Sequence, residues 1–150
     1  MNIGAICTRR VAVVDRATTV MDAARRMREE HVGDLVVVDR KDGHTVPVGM
    51  VTDRDLVVSI VARSAEFIER LLVEDLLVRP IVTAEIAEDS LVVARRMREN
   101  EVRRLPVVDE DGDLVGILSV DDLVGSVHAE LAEIAALVGH QHRHERKMRP

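Results

Sequence analysis

A chain of 150 residues with 47% hydrophobic and 32% charged side chains can bury roughly 68–70% of the surface its unfolded form exposes, so it needs no covalent staple. The one cysteine, Cys7, excludes an internal disulfide and a thiolate metal centre; a reducing, cytoplasmic setting is expected, with no apolar run near the roughly 20 residues of a membrane span and no secretory leader. Beyond Gly139 the tail carries +3, so with an overall charge of −6 the body before it carries −9; that argues against nucleic-acid binding by phosphate neutralisation, and Phe67 as the single aromatic residue argues against base stacking.

From the N-terminus, the β-branched run Val11–Val14 leads to Thr19, an N-cap residue. Val20, Ala23, Ala24 and Met27 then fall at i, i+3, i+4 and i+7 and are expected in the core, with Arg25, Arg26 and Arg28 on the solvent face. Leu35–Val38 and Val48–Val51 read as strands joined by a turn containing Asp42-Gly43. A second helix starts at Asp53, and residues 64–78 look like a helical bridge.

The same unit then returns. Ala24-Arg25-Arg26-Met27-Arg28-Glu29 repeats as Ala94-Arg95-Arg96-Met97-Arg98-Glu99, a shift of 70 that also aligns Val32 with Val102 and Leu35 with Leu105. Past the hairpin turn, which is three residues shorter in the copy, the shift becomes 67: Gly49 matches Gly116, Thr52 matches Ser119 and Asp55 matches Asp122. The copy comprises Ile81–Thr83, the cap Asp89, a helix burying Ser90, Val93, Ala94 and Met97, strands Leu105–Val108 and Leu114–Leu118 around Asp111-Gly112, and a helix from Val120. The expected class is α+β: two β-α-β-β-α repeats. Units of about 60 residues bury too little alone, and strands apolar on consecutive residues need cover on both faces. The two sheets are therefore expected to pack together around a pseudo-twofold axis. The expected organisation is one repeat over 1–63, the bridge over 64–78, a second repeat over 79–128, and a helical extension with a basic, histidine-containing tail over 129–150.

Each repeat closes on Gly, two apolar residues, a hydroxyl, two variable residues and an aspartate, ending at Asp55 and Asp122. The hydroxyl stands beside the free N–H groups that open a helix, an anion-binding geometry, and the aspartate one turn on can accept hydrogen bonds from a ribose diol. Glycine would let a flat base approach the backbone. The same spacing also writes a variant capping box; the two uses are compatible, and a cap alone does not ask for the glycine.

Tandem β-α-β-β-α repeats with Val102-Arg103-Arg104-Leu105-Pro106-Val107-Val108-Asp109 and this closing motif resemble the CBS (cystathionine-β-synthase) domain family, paired as a Bateman module, over roughly residues 2–128. The resemblance implies a non-catalytic, ligand-sensing protein that takes AMP, ADP, ATP, NAD or S-adenosylmethionine in two clefts between its repeats and associates as a homodimer. One cleft would take Met50, Thr52, Arg54 and Asp55 together with Val102, Arg104 and Pro106. Asp55 would hold the ribose, Thr52 and Arg104 the phosphate, and Met50, Val102 and Pro106 the adenine. The other would join Ser119 and Asp122 to Val32, Asp34 and Val36, with the Thr83 backbone near the base. Here the pattern is broken, because Asp34 stands where its counterpart is Arg104; a carboxylate repels phosphate, so unequal clefts are expected.

Two other readings compete. A CBS-shaped scaffold that binds no ligand would act through protein contacts alone, and His140, His142 and His144 could ligate a metal, although a fraying basic terminus is the simpler account. Asp53, Asp55, Asp121 and Asp122 fit compensation of helix dipoles better than hydrolase chemistry. Cys7, His31 and His44 have no catalytic companion at useful spacing. Finally, Val124, Val127, Leu131, Ile134, Ala135 and Val138 continue an apolar stripe past the second repeat and, with Phe67, Ile68, Leu71 and Leu72, leave surface for a second chain. No effector segment is expected within these 150 residues, so an output would need another, unknown regulated protein.

Overall fold

The computed structural model describes residues 1–61 and 65–148, with side chains over 1–60 and 68–138. The first repeat contains β1 (Val13–Asp15), α1 (Val20–Glu30), β2 (Asp34–Lys41), β3 (His44–Thr52) and α2 (Asp53–Val61); the second contains β4 (Ala84–Glu85), α3 (Ser90–Glu99), β5 (Arg104–Val108), β6 (Leu114–Ser119) and α4 (Val120–Met148). Each repeat forms a three-stranded mixed sheet, β1-β2-β3 and β4-β5-β6, whose first pair is parallel and second antiparallel. The architecture is the α+β tandem expected from the repeat.

The helices cover one face of each sheet. Leu35, Val37 and Val51 pack with Val20, Ala23, Met27 and Leu56 in one core, and Leu105, Val107 and Leu118 pack with Val93 and Met97 in the other. Thr19 and Asp89 cap α1 and α3, accepting from Asp22 N and Leu91 N. Ala24 is exposed rather than buried, because it lies at the rim of a groove it lines with Met27, Leu56, Val57 and Ile60 between α1 and α2. Ser90 and Ala94 are only half-buried.

The leading strands fall later than expected, most of all in the second repeat, where none of Ile81–Thr83 is in a strand. Proline explains the difference. In the first repeat Val36 N donates to Ala12 O at 3.0 Å; its counterpart Pro106 has no N–H to give, so β4 begins only beyond it, with Ala84 opposite Val107. The hairpins also differ. Asp42 and Gly43 both have positive φ, +54° and +87°, the signature of a two-residue type I′ turn. In the copy only Gly112 does; the residues missing there come from the strands and not, as expected, from the turn, because β5 ends at Val108 and β6 begins at Leu114, and the longer loop is closed by Asp109, whose Oδ1 accepts from Asp111 N and Asp113 N.

Residues 64–78 do not form one helix. Two 3-10 segments, Ala65–Arg70 and Val73–Leu76, take their place, and Ser64 lies outside the described residues. Val73 is fully buried in the first repeat's core, with Leu71 and Leu77 packed against it. Val73 N donates to Thr18 O at 2.8 Å, and Val20 N to Leu71 O at 2.9 Å. The chain's first residues do the converse: a 3-10 turn at Ile3–Ala5 places Ile3 fully buried in the second repeat's core beside Ile6 and Cys7. Ile3 N donates to Glu88 O at 3.0 Å, and Ser90 N to Met1 O at 2.8 Å. Each repeat is thus completed by the segment that leads into the other.

Candidate functional site

Cross-strand partners share a sheet face. Because Leu35 and Val51 face the helices, Asp34 with its partner Thr52 and Val36 with its partner Met50 face away from them. The second repeat mirrors this, with Arg104 opposite Ser119 and Pro106 opposite Ile117. Val36 and Pro106 are buried on this face, and Arg104 reaches Asp34 of the other sheet in an ion pair. Thr52, Asp34, Arg104 and Ser119 therefore form one row across both sheets. The sequence separates Asp34 and Arg104 by one repeat length, so they are symmetry mates, and mates near a twofold axis meet.

The hydroxyl and aspartate motifs fold alike. Thr52 N and Oγ1 donate to Asp55 Oδ2 at 2.9 and 2.8 Å, and Asp55 N donates back to Thr52 Oγ1 at 3.1 Å. In the copy, Ser119 N and Oγ donate to Asp122 Oδ2 at 2.8 and 2.6 Å, and Asp122 N to Ser119 Oγ at 3.1 Å. Both are capping boxes opening α2 and α4, with aspartate in the position of the usual glutamate. In each, one carboxylate oxygen, Oδ2, accepts both bonds from the hydroxyl residue. Equivalent backbone bonds fix each helix to the preceding turn, Asp53 N to Gly33 O and Val120 N to Arg103 O, both at 2.9 Å.

Gly49 and Gly116 serve a different purpose from the one expected. A Cβ on Gly49 would lie 2.6 Å from Leu77 Cδ2, and one on Gly116 would lie 2.9 Å from Cys7 Sγ and 3.0 Å from Thr8 O. The glycines make room for the exchanged lead-in segments, on the helix side of each sheet, and not for a base.

The remaining candidates are spread around this row. Val32 packs against the first core and Val102 against the second. Arg54 and Asp55 are exposed on the first turn of α2, whereas Asp122 is half-buried. The Thr83 carbonyl accepts from Arg96 Nη1 at 2.8 Å, and Arg96 also pairs with Glu88, whose carboxyl it holds below the usual carboxylate range. At the far end of the two sheets, a contact absent from the sequence reading joins the hairpins. His44 Nδ1 lies 2.8 Å from Asp113 Oδ2, and Thr45 N donates to Asp113 Oδ1 at 2.5 Å. Hydrogen bonding to Asp113 and its charge raise the His44 imidazole above its ordinary value.

Among the described residues no cluster of three or more His, Cys, Asp and Glu could hold a metal ion, and no helix is long and apolar enough to cross a membrane. The side chains of His140, His142 and His144 lie outside the described residues.

Compared with known proteins, the chain matches the CBS domain family model twice, over residues 3–62 and 73–129. An uncharacterized protein of Methanopyrus kandleri is 30% identical over 124 residues, spanning 83% of this chain and 61% of that protein. The CBS domain-containing protein YhcV of Bacillus subtilis is 29% identical, spanning 91% of this chain and 94% of its own length. Among solved structures, CBSX2 in complex with AMP is 32% identical with a TM-score of 0.71, covering 85% of this chain and 96% of that one, and CBSX2 from Arabidopsis thaliana is 29% identical with a TM-score of 0.74, covering 87% of this chain and 96% of that one.

Proposed function

The chain belongs to the CBS domain family, and on that premise we propose that it is a non-catalytic regulatory protein that binds an adenosine nucleotide between its two repeats. The observation that carries this reading is the polar row Thr52, Asp34, Arg104 and Ser119 on the face between the sheets, flanked on both sides by a capping box that leaves a carboxylate oxygen for a ribose diol. The AMP complex of a relative 32% identical over most of this chain supports the ligand class. In the first cleft Asp55 accepts from the ribose, Thr52 and the opening N–H groups of α2 meet the phosphate together with Arg104, and Met50, Val102 and Pro106 enclose the base, with Arg54 at the mouth. In the second, Ser119 and Asp122 act with Val32, Asp34 and Val36, and the Thr83 backbone borders the base.

Binding changes the output only through differential affinity for two arrangements of the repeats. The output passes to a second copy or to another protein. A second copy fits the exposed apolar stripe of α4, where Val124, Val127, Leu131, Ile134 and Val138 are 48–62% exposed at alternating three- and four-residue steps. Titration calorimetry of nucleotide-free protein with AMP, ADP, ATP, NAD and S-adenosylmethionine tests the reading. Saturable binding of at least one, at one or two per chain, is expected. Flat traces for all five from folded protein would leave the scaffold reading instead.

A further inference from the structure

We propose that α4 pairs antiparallel with α4 of a second copy, so that the basic end of each helix runs beside the acidic start of the other. The inference rests on the second-copy reading of the α4 stripe and adds to it an orientation and a register.

The two repeats differ most in their last helix. α2 closes at Val61, whose counterpart in the copy is His128, whereas α4 runs on to Met148, about 30 Å further. Every residue from Ala129 to Val138 is exposed, so no described part of the chain covers this length. Helices in water owe most of their stability to an apolar face packed against something else. That face is present: Val124, Val127, Leu131, Ile134 and Val138 are 48–62% exposed and follow one another by three and four residues. This is the a/d spacing by which one helix seats another of the same spacing, and a second α4 supplies it.

Charge decides the orientation. The residues before Gly139 carry −9 and those from it onward +3. Along α4 itself, Asp121, Asp122, Glu130 and Glu133 occupy the first half, and Arg143, Arg146 and Lys147 come near the end. A parallel pair would set two acidic bodies side by side, put the two basic ends together and align the helix dipoles. An antiparallel pair brings each basic end to the acidic start of its mate, opposes the dipoles and sends the two bodies to opposite ends. The apolar layers then fix the register. Leu131 stands opposite Ile134 of the second copy, Val127 opposite Val138, and Val124 opposite Gln141. The turn that caps α4, Ser119–Asp122, thereby borders the contact between copies.

Disulfide trapping on the full chain tests this, in a Cys7→Ser background so that only introduced thiols react. In the antiparallel register positions 127 and 138 of different copies meet. Each is displaced from its own mate by 138 − 127 = 11 residues, about 16 Å of helix, too far for a disulfide. V127C alone and V138C alone are expected to stay unlinked, and the two variants co-expressed are expected to form a linked pair. A link in V127C alone marks a parallel pair and overturns the inference, as does no link in the co-expressed sample. A second variant reads the stripe without thiols: L131E/I134E, altered at two exposed positions, is expected to stay folded by circular dichroism and to sediment at half the mass of the wild type. An unchanged mass overturns the inference. A wild type that sediments as a single chain throughout the micromolar range overturns the second-copy reading with it, and titration of the same samples with AMP reads nucleotide binding independently of either.

Discussion

Gly49 and Gly116 show how one residue can be read correctly as special and wrongly as to why. Their recurrence in register pointed beyond a cap, but what presses on them is Leu77 in one repeat and Cys7 in the other, residues whose path no local pattern reveals. Gly49→Ala is therefore expected to destabilise the fold by about 1–3 kcal/mol through overpacking, measured by denaturant unfolding; an unchanged midpoint would mean that Leu77 relaxes freely. The capping boxes, in contrast, were legible in full, because Thr52 acts with Asp55, and Ser119 with Asp122, within four residues. Their double use gives a second expectation. Asp55→Ala should weaken AMP binding by roughly 1.5–3 kcal/mol, the range for hydrogen bonds to a charged group, and Asp122→Ala should weaken it less. Melting curves separate this from the cap's own contribution of about 0.5–2 kcal/mol, and equal affinity losses at both positions would contradict unequal clefts. The repeat length makes Arg104 and Asp34 symmetry mates, and their meeting depends on both lying near the axis. Considering each cleft separately hides it.

At the scale of elements, helix and strand identity followed from apolar spacing, and the boundaries moved where a backbone group was missing. Pro106 shortens β4 because the ladder bond that Val36 makes has no donor there. The two 3-10 lead-ins were the larger surprise. Three or four residues carry no period, and their partners are distant in the chain, Thr18 for Val73 and Glu88 for Ile3, so sequence alone gives them no address. Leu71 and Leu72, expected as surface for another chain, instead close the first repeat: Leu71 packs on its core and Leu72 pairs with Thr19. The consequence is measurable at the chain's start. Ile3→Ala, three residues from the N-terminus, is expected to cost about 2–5 kcal/mol, as for a buried aliphatic side chain, because Ile3 has no exposed surface. A cost below 0.5 kcal/mol in chemical denaturation would mean that the segment frays.

For the whole molecule, exchange of lead-ins makes the two repeats one folding unit. Cutting the chain between residues 63 and 64 leaves Ile3 with the wrong half and Val73 with the other; each half is expected to lack a cooperative transition alone and to regain it on mixing. An independently cooperative half would contradict the exchange. The hairpin clamp adds a pH dependence. The His44 value is raised, so its contribution is complete below the ordinary histidine value of about 6.5 and is lost as pH climbs through the raised one. The Asp113 value is lowered, first by the Thr45 N–H and then by His44, so its contribution is present above the ordinary carboxylate range and is lost as pH falls through the lowered one. His44→Gln is therefore expected to lower the melting temperature at pH 5.5 and to leave it nearly unchanged at pH 9; equal losses at both would deny the ion pair.

The central claim is that an adenosine nucleotide lies on the face between the two sheets, and a crystal structure of the protein grown with saturating AMP tests it most directly. The account predicts the ribose on Asp55, the phosphate at Thr52 and the opening turn of α2, and Arg104 turned from Asp34 toward the phosphate. AMP bound elsewhere on the chain, or a well-ordered inter-sheet face with Arg104 still on Asp34 and no nucleotide between the repeats, would contradict it.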